Sequence, residues 1–208
     1  MPSTRLFLVR HGETDWNVAG RIQGHTDTPL NALGLAQADA TGARLRGETF
    51  AAVYSSDLQR AYRTALPAVA DAARIVREPR LRERHLGVLQ GLDGDTGPST
   101  QPAAWTAWKS RDPQAALEGG ESLAEFARRT VAFIEETVAR HAGGQVLIVT
   151  HGGLLDVAYR HATGMAPAAK RDFPIYNASI NILRHDGRRW AVETWGDVAH
   201  LPKSLDDD

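Results

Sequence analysis

Two imidazoles, two guanidiniums and one carboxylate occupy similar places in this sequence, each shortly beyond an apolar run. Arg10-His11-Gly12 follows Leu6-Phe7-Leu8-Val9, and Arg60 comes soon after Ala51-Ala52-Val53-Tyr54. Glu83 follows Ile75-Val76, and His151-Gly152-Gly153 follows Val146-Leu147-Ile148-Val149-Thr150. If those runs are strands of an open α/β sheet, ligands bind beyond their carboxyl ends and all five side chains meet there. The set suits phosphoryl transfer without a metal. A phosphomonoester is a dianion whose equatorial oxygens must be held while nucleophile and leaving group lie in line, and arginines hold such oxygens bidentately. An imidazole is partly neutral near neutral pH, so it is a competent nucleophile whose phosphorylated form hands the group onward. A carboxyl group supplies the proton that the leaving alkoxide needs.

Taken singly, each residue has a plainer reading. His11 could be a hydrogen-bonded structural histidine, Arg60 a surface arginine on a helix, and Glu83 a member of a solvated ion cluster in Arg80-Leu81-Arg82-Glu83-Arg84. Gly12 raises the weight of His11 because it lets backbone approach a ligand closely. The Gly152-Gly153 pair at a helix start adds an anion site built from backbone N–H groups.

The elements that must position these groups are legible. Leu6–Val9 and Val146–Val149 are continuous apolar runs, as strands buried on both faces require. Ser55-Ser56-Asp57 offers N-cap residues for a helix running from Leu58 to about Ala73, and Arg74-Ile75-Val76 reads as a weaker strand. Leu35, Ala38, Gly42 and Leu45 mark one amphipathic helix, and Leu123, Phe126, Thr130, Phe133, Ile134 and Val138 mark a longer one. The longer helix opens with a Ser122/Glu125 capping box, and its Arg128-Arg129 pair is read as facing solvent. Ile180 and Ile182, the turn Asp186-Gly187 and Trp190–Trp195 predict an antiparallel hairpin at a sheet edge. Residues 92–120, irregular around Trp105 and Trp108, read as an insertion covering the site, and Asp206-Asp207-Asp208 as a frayed tail. The expected architecture is α/β: one domain over 1–208, with a mixed, mostly parallel sheet between helices and a cap at about 92–120.

Bulk properties narrow the partners. A formal net charge of -1 gives no positive field to gather nucleic acid. With no cysteine, thiolate nucleophiles and sulfur-based zinc sites are excluded, and a reducing compartment fits. The apolar run before Arg10 is far too short for a signal peptide or membrane span, so the expected location is cytoplasmic, with no membrane partner.

Leu8-Val9-Arg10-His11-Gly12-Glu13-Thr14, with Asn17, Gln23-Gly24 and Asp27 behind it, resembles the histidine phosphatase superfamily, in the branch of cofactor-dependent phosphoglycerate mutases and their phosphatase relatives. Ser55–Ala61, Leu81-Arg82-Glu83, Gly120-Glu121-Ser122, Val149–Gly153 and Asn177-Ala178-Ser179 extend the resemblance over nearly the whole chain. It implies a phosphoglycerate mutase-like fold, with a three-layer arrangement and a short cap. It also implies that His11 is the phosphorylated nucleophile, Arg10 and Arg60 clamp the phosphate, His151 donates to the phosphoryl oxygens, and Glu83 is general acid and then base. Asn17, Gln23, Gly24 and Gly152 become secondary phosphate or substrate contacts.

Within that family, Arg84-His85-Leu86-Gly87 leans toward mutases, although Leu86 replaces their usual tyrosine. The Gln23–Asp27 loop leans toward phosphatases, and the short insertion lacks the mutases' adjacent arginine pair, for which Lys109 and Arg111 are weak substitutes. Hydrolysis of a small phosphorylated metabolite is therefore the expected reaction, with no cofactor. A mutase would need 2,3-bisphosphoglycerate as primer. A noncatalytic phosphoester-binding module would be expected to have lost His11 or Glu83. A metal-dependent phosphoesterase would want a His-x-His or His-Glu-x-x-His pattern beside His11 or His151, and neither accompanies them. The sequence leaves the oligomeric state open, a homodimer included.

Overall fold

A computed structural model describes residues 3–201, so the acidic tail Asp206-Asp207-Asp208 lies outside the described residues. One sheet contains β1 (Thr4–Arg10), β2 (Ala52–Ser55), β3 (Ile75–Arg77), β4 (Gln145–Thr150), β5 (Ile180–His185) and β6 (Trp190–Asp197). Their order is β3-β2-β4-β1-β5-β6; the first four run parallel, and β5 and β6 are antiparallel to their neighbours. The helices are α1 (Asp15–Val18), α2 (Ala32–Leu45), α3 (Gln59–Ala65), α4 (Gly97–Thr100), α5 (Pro102–Ser110), α6 (Leu123–Arg140) and α7 (Gly152–Thr163). This is the mixed, mostly parallel α/β arrangement that the apolar runs predict. No helix among the described residues is long and apolar enough to cross a membrane.

The continuous apolar strands serve two cores at once. Leu6, Leu8, Val146 and Ile148 pack against Phe126, Phe133, Ile134, Leu154 and Leu155 of α6 and α7. Their alternating neighbours Phe7, Val9, Leu147 and Val149 pack on the other face against Leu45, Ala61 and Ala65 of α2 and α3. Each fully buried Leu or Phe contributes about 1.5–3 kcal/mol, so both helical layers are fixed to the central strands.

Register then sets the site. Val9 pairs with Val149 and Arg10 with Thr150, so His11 and His151 leave the sheet side by side. The His11 N–H donates to Thr150 O at 2.9 Å, and the Ser56 N–H donates to Val149 O at 2.9 Å, bringing the end of β2 alongside.

Three local expectations need correction. The helix after β2 stops at Ala65 rather than near Ala73 because Pro67 lacks an N–H and restricts its predecessor; a 3-10 turn over Leu66–Ala68 follows. Its N-terminus is not capped by Ser55, Ser56 or Asp57. Asp27, from the loop after α1, accepts the Gln59 N–H at 2.7 Å, which leaves Ser56 and Asp57 to other partners. Residues 92–120 are more regular than expected, since they contain α4 and α5. Leu117, Trp105 and Trp108 of this segment pack with Ile22, Leu86 and Leu89 in a small third core. The Ser122/Glu125 capping box of α6 is present as the sequence indicates.

Candidate active site

His11 and His151 are 3 % and 0 % exposed, with ring centroids 5.2 Å apart. The His11 Nδ1 is 2.7 Å from Gly12 O. A carbonyl only accepts, so Nδ1 carries the proton and Nε2 keeps its lone pair. Burial, then the charges of Arg60 and Arg10, holds the His11 pKa well below its ordinary 6.5. The imidazole is therefore neutral and nucleophilic at Nε2. His151 is depressed in the same direction, first by burial and then by Arg60, and its Nε2 lies 2.8 Å from Ser56 Oγ.

The guanidiniums are anchored from behind by carbonyls. Arg10 Nη1 donates to Ile175 O at 2.7 Å, while Arg60 Nη1 and Nη2 donate to Thr26 O and Gly24 O, each at 2.8 Å. What remains is telling: Arg10 Nε, Arg60 Nε and His151 Nδ1 are all buried with no protein partner. An unpaired buried donor costs about 1–3 kcal/mol, so the two arginine Nε–H groups call for an acceptor that the chain itself does not supply, and so does His151 Nδ1 in the tautomer whose Nε2 accepts the Ser56 hydroxyl proton. Burial lowers the Arg60 pKa to about 10, leaving it charged at neutral pH. Arg10 and Arg60 each act on both imidazoles, and each feels the Glu83 carboxylate, so the five groups share one field.

Glu83 faces the N-terminus of α7. Its Oε2 accepts the Gly153 N–H and its Oε1 the Arg84 N–H, both at 2.8 Å. A Cβ at residue 153 would stand 2.1 Å from Glu83 Oε1, so only glycine admits this contact. One N–H of the expected glycine anion site thus serves Glu83. Gly12 likewise differs from its sequence reading: its close neighbour is the Gly34 backbone of α2, 2.4 Å from where a Cβ would be. A cavity of about 490 Å³ opens from Arg10, Glu83 and Gly152 toward Trp108, Lys109 and Arg111 of the cap.

The secondary contacts expected from the first loop are held within the protein. Gln23 donates from Nε2 to Thr14 Oγ1 at 2.9 Å and accepts from Thr28 at 2.6 Å, and Gly24 offers its carbonyl to Arg60. Asn17 accepts from Thr14 N–H at 3.1 Å and from Asn177 Nδ2 at 3.3 Å. Asn177 also donates to His11 O at 3.0 Å. These residues build the wall behind His11 and Arg60.

Three functional candidates escaped the sequence reading. Ser56 reads in sequence as a helix cap, but its Oγ bonds His151. Arg84 was one of a string of arginines, yet it is 8 % exposed and, among the described residues, in no salt bridge; its Nε donates to Glu121 O at 2.9 Å. Arg129, expected to face solvent, turns inward onto Glu121 and the carbonyls around Glu83, while Arg128 is exposed. Alternation of charges along a helix does not show which arginine meets a carbonyl beyond its own element.

Two buried histidines with depressed pKa values make stability pH-dependent. Above about 6.5 both states are neutral there; below it the unfolded chain takes up protons that the folded one refuses, so stability is lost as pH falls. The slope approaches about 1.4 kcal/mol per pH unit for each imidazole. His25, His141 and His200 are lowered too and add in the same sense. Urea unfolding should therefore show a less stable protein at pH 5.5 than at pH 7.5, and a His11→Asn/His151→Asn double variant should shrink that difference; an unchanged difference would contradict it.

A mostly parallel sheet whose strand ends carry a neutral buried imidazole among unpaired guanidinium nitrogens defines a phosphoryl-handling enzyme of the phosphoglycerate mutase-like class. Among the described residues, no group of three or more His, Cys, Asp or Glu stands together so as to hold a metal ion. Residues 6–198 match the histidine phosphatase superfamily (branch 1), and the chain belongs to that family. It is similar to the metal-independent phosphoserine phosphatase of Arabidopsis thaliana, at 41% identity over 202 residues covering 95% of this chain and 83% of that one. Phosphoglycerate mutase-like protein 4 of the same plant is 38% identical over 204 residues, covering 96% and 87%. Among solved structures, YhfR of Bacillus stearothermophilus superposes with a TM-score of 0.88 at 35% identity, covering 96% of this chain and 100% of that one.

Proposed function

We propose that this chain is a phosphatase that hydrolyses small phosphomonoesters bearing a second negative charge, through a phosphohistidine on His11. The observation that carries the reading is the neutral, Nε2-free His11 beside three buried nitrogens without partners. In the first step the Nε2 lone pair forms a bond to phosphorus as the ester P–O bond breaks. Arg10, Arg60 and His151 hold the phosphoryl oxygens, and Glu83 gives its proton to the departing oxygen, releasing an alcohol. A carboxyl oxygen has two lone-pair positions, so accepting one N–H leaves room for that proton. In the second step Glu83, now a carboxylate, takes a proton from water as its oxygen attacks phosphorus. The P–N bond breaks, Nε2 recovers its lone pair and phosphate leaves.

Arg84 supports the second charge. A nearly buried guanidinium without a carboxylate partner lines the cavity beside Glu83, with Lys109 and Arg171 also on its wall. Burial lowers its pKa although the charges of Glu121 and Glu83 act to raise it, so a further anion in the cavity would favour its charged form. Asp156, on the same wall, is already shared among Arg111, Arg160 and Arg171, so it does not neutralise Arg84. Phosphoserine, named for the Arabidopsis relative, has the required carboxylate. Arg84→Met should raise KM for such substrates roughly 10- to 100-fold, the worth of a charge-assisted hydrogen bond, and leave that for para-nitrophenyl phosphate nearly unchanged. Equal effects on both would remove Arg84 from substrate recognition. A cysteine-free chain acting on phosphorylated metabolites fits a cytoplasmic setting.

Mutase activity is the second reading, favoured by the similarity to phosphoglycerate mutase-like protein 4. A turnover screen over a phosphomonoester panel, with and without 2,3-bisphosphoglycerate, separates the two. Phosphate release without primer is the expected result, and isomerisation of 3-phosphoglycerate at a rate rivalling hydrolysis would overturn it.

A further inference from the structure

Glu83 sits in a stretch, residues 83–86, that forms neither helix nor strand. No ladder fixes its backbone, yet a proton donor must be placed to within a fraction of an ångström of the atom it serves. The anchoring comes from side chains on α6 and its approach. Arg129 Nη1 donates to Arg80 O at 2.7 Å and Arg82 O at 2.9 Å, and its Nη2 donates to Glu83 O at 2.8 Å. Glu121 orients that fork, accepting from Arg129 Nε at 2.7 Å and Nη2 at 2.9 Å. The same carboxylate takes the His85 N–H at 2.8 Å, tying down the chain on the far side of Glu83. His25 Nε2 lies 2.8 Å from Glu83 O and must donate, because a carbonyl only accepts. Both lone pairs of the Glu83 carbonyl are thus taken, one by Arg129 and one by His25.

We propose that Arg129, oriented by Glu121, is a positioning residue that fixes the Glu83 backbone so that its carboxyl meets the leaving-group oxygen. The inference rests on the reading of Glu83 as general acid. Arg129 touches neither the cavity nor the phosphoryl site; it acts only through Glu83. Five N–H groups in a rigid plane suit it to gather carbonyls that point from an irregular segment, a task that the single ammonium of lysine does not reproduce.

General-acid help matters for a poor leaving group and hardly at all for a good one, so the signature of a displaced Glu83 is selective. The experiment compares kcat/KM on an alkyl phosphomonoester without a second charged group, ethyl phosphate, so that the Arg84 contact does not enter, with that on para-nitrophenyl phosphate, for the wild type, Glu83→Gln, Arg129→Met, Arg129→Lys and Glu121→Gln. Arg129→Met is expected to lose about 10- to 100-fold on ethyl phosphate and little on the aryl ester, a part of the general-acid contribution. Arg129→Lys should recover only a fraction, Glu121→Gln should shift the same ratio in the same direction, and orthovanadate inhibition should stay at its wild-type level. If Arg129→Met fails to fold, Arg129→Lys and Glu121→Gln read the same ratio. Equal losses on both esters, or none, in variants that keep orthovanadate binding would overturn the positioning role. If Glu83→Gln itself shows no leaving-group dependence, the acid assignment fails instead, and the two failures are told apart by that one variant.

Discussion

His11→Ala is expected to abolish turnover, with kcat falling on the order of 10⁴- to 10⁶-fold, and to eliminate the acid-labile phosphoprotein expected of the wild type. The magnitude follows from what is lost. Removing Nε2 leaves no group in line with the leaving oxygen, so direct attack by water is the sole route, aided only by the charges that remain. Those charges do remain: Arg10 and Arg60 are anchored by the carbonyls of Ile175, Thr26 and Gly24, none of which depends on the imidazole. Orthovanadate should therefore still bind the variant, more weakly, and protect it against heat in proportion to its occupancy. Rapid quenching with labelled substrate, split between acid and alkaline work-up, reads the intermediate directly. Label persisting in His11→Ala with the same acid lability would move the nucleophile elsewhere, first to His151.

Glu83→Gln should show a loss that depends on the alcohol being expelled: about 10²- to 10⁴-fold on an alkyl phosphate and far less on an aryl phosphate. Gln keeps the shape of Glu and one acceptor oxygen for the N–H of Gly153 or Arg84, but it has no proton to give and cannot take one from water. With an aryl ester the first step no longer needs the acid, and whatever loss remains reports the second step, in which water attacks the phosphohistidine. Burst kinetics on para-nitrophenyl phosphate should then become more pronounced in the variant, because dephosphorylation slows more than phosphorylation. Losses of equal size on both classes of ester would assign the proton to another group.

Arg129 shows how differently the chain's arginines stand in sequence and in space. Arg80, Arg82, Arg84 and Arg129 look interchangeable as letters in charged stretches. In the fold, Arg80 pairs with Glu78 and Glu136 near solvent, and Arg82 pairs with Asp57. Arg84 is buried facing the cavity, and Arg129 clamps three carbonyls. An exposed pair such as the first is worth little, whereas the Arg84 guanidinium, desolvated near the Glu121 and Glu83 charges but in no ion pair with them, keeps donors for a bound anion.

The sequence by itself determined the sheet, both helical layers and the strand-end placement of His11, Arg60, Glu83 and His151. Continuous apolar runs have few ways to be buried other than as central parallel strands, and short turns after them can only emerge at one edge. Motif order carried the family for the same reason, since those edge positions are read along the chain. Local chemistry was also enough for the α6 capping box and the β5–β6 hairpin, whose partners lie a few residues apart. What only the tertiary structure decided are the contacts between segments far apart in sequence: Asp27 capping α3, Ser56 meeting His151, Arg84 losing its solvent and Arg129 reaching back to Glu83. Each depends on crossing angles and register that no local spacing records. A hydrogen bond is settled by tenths of an ångström between groups whose neighbourhood exists only once the two cores have closed.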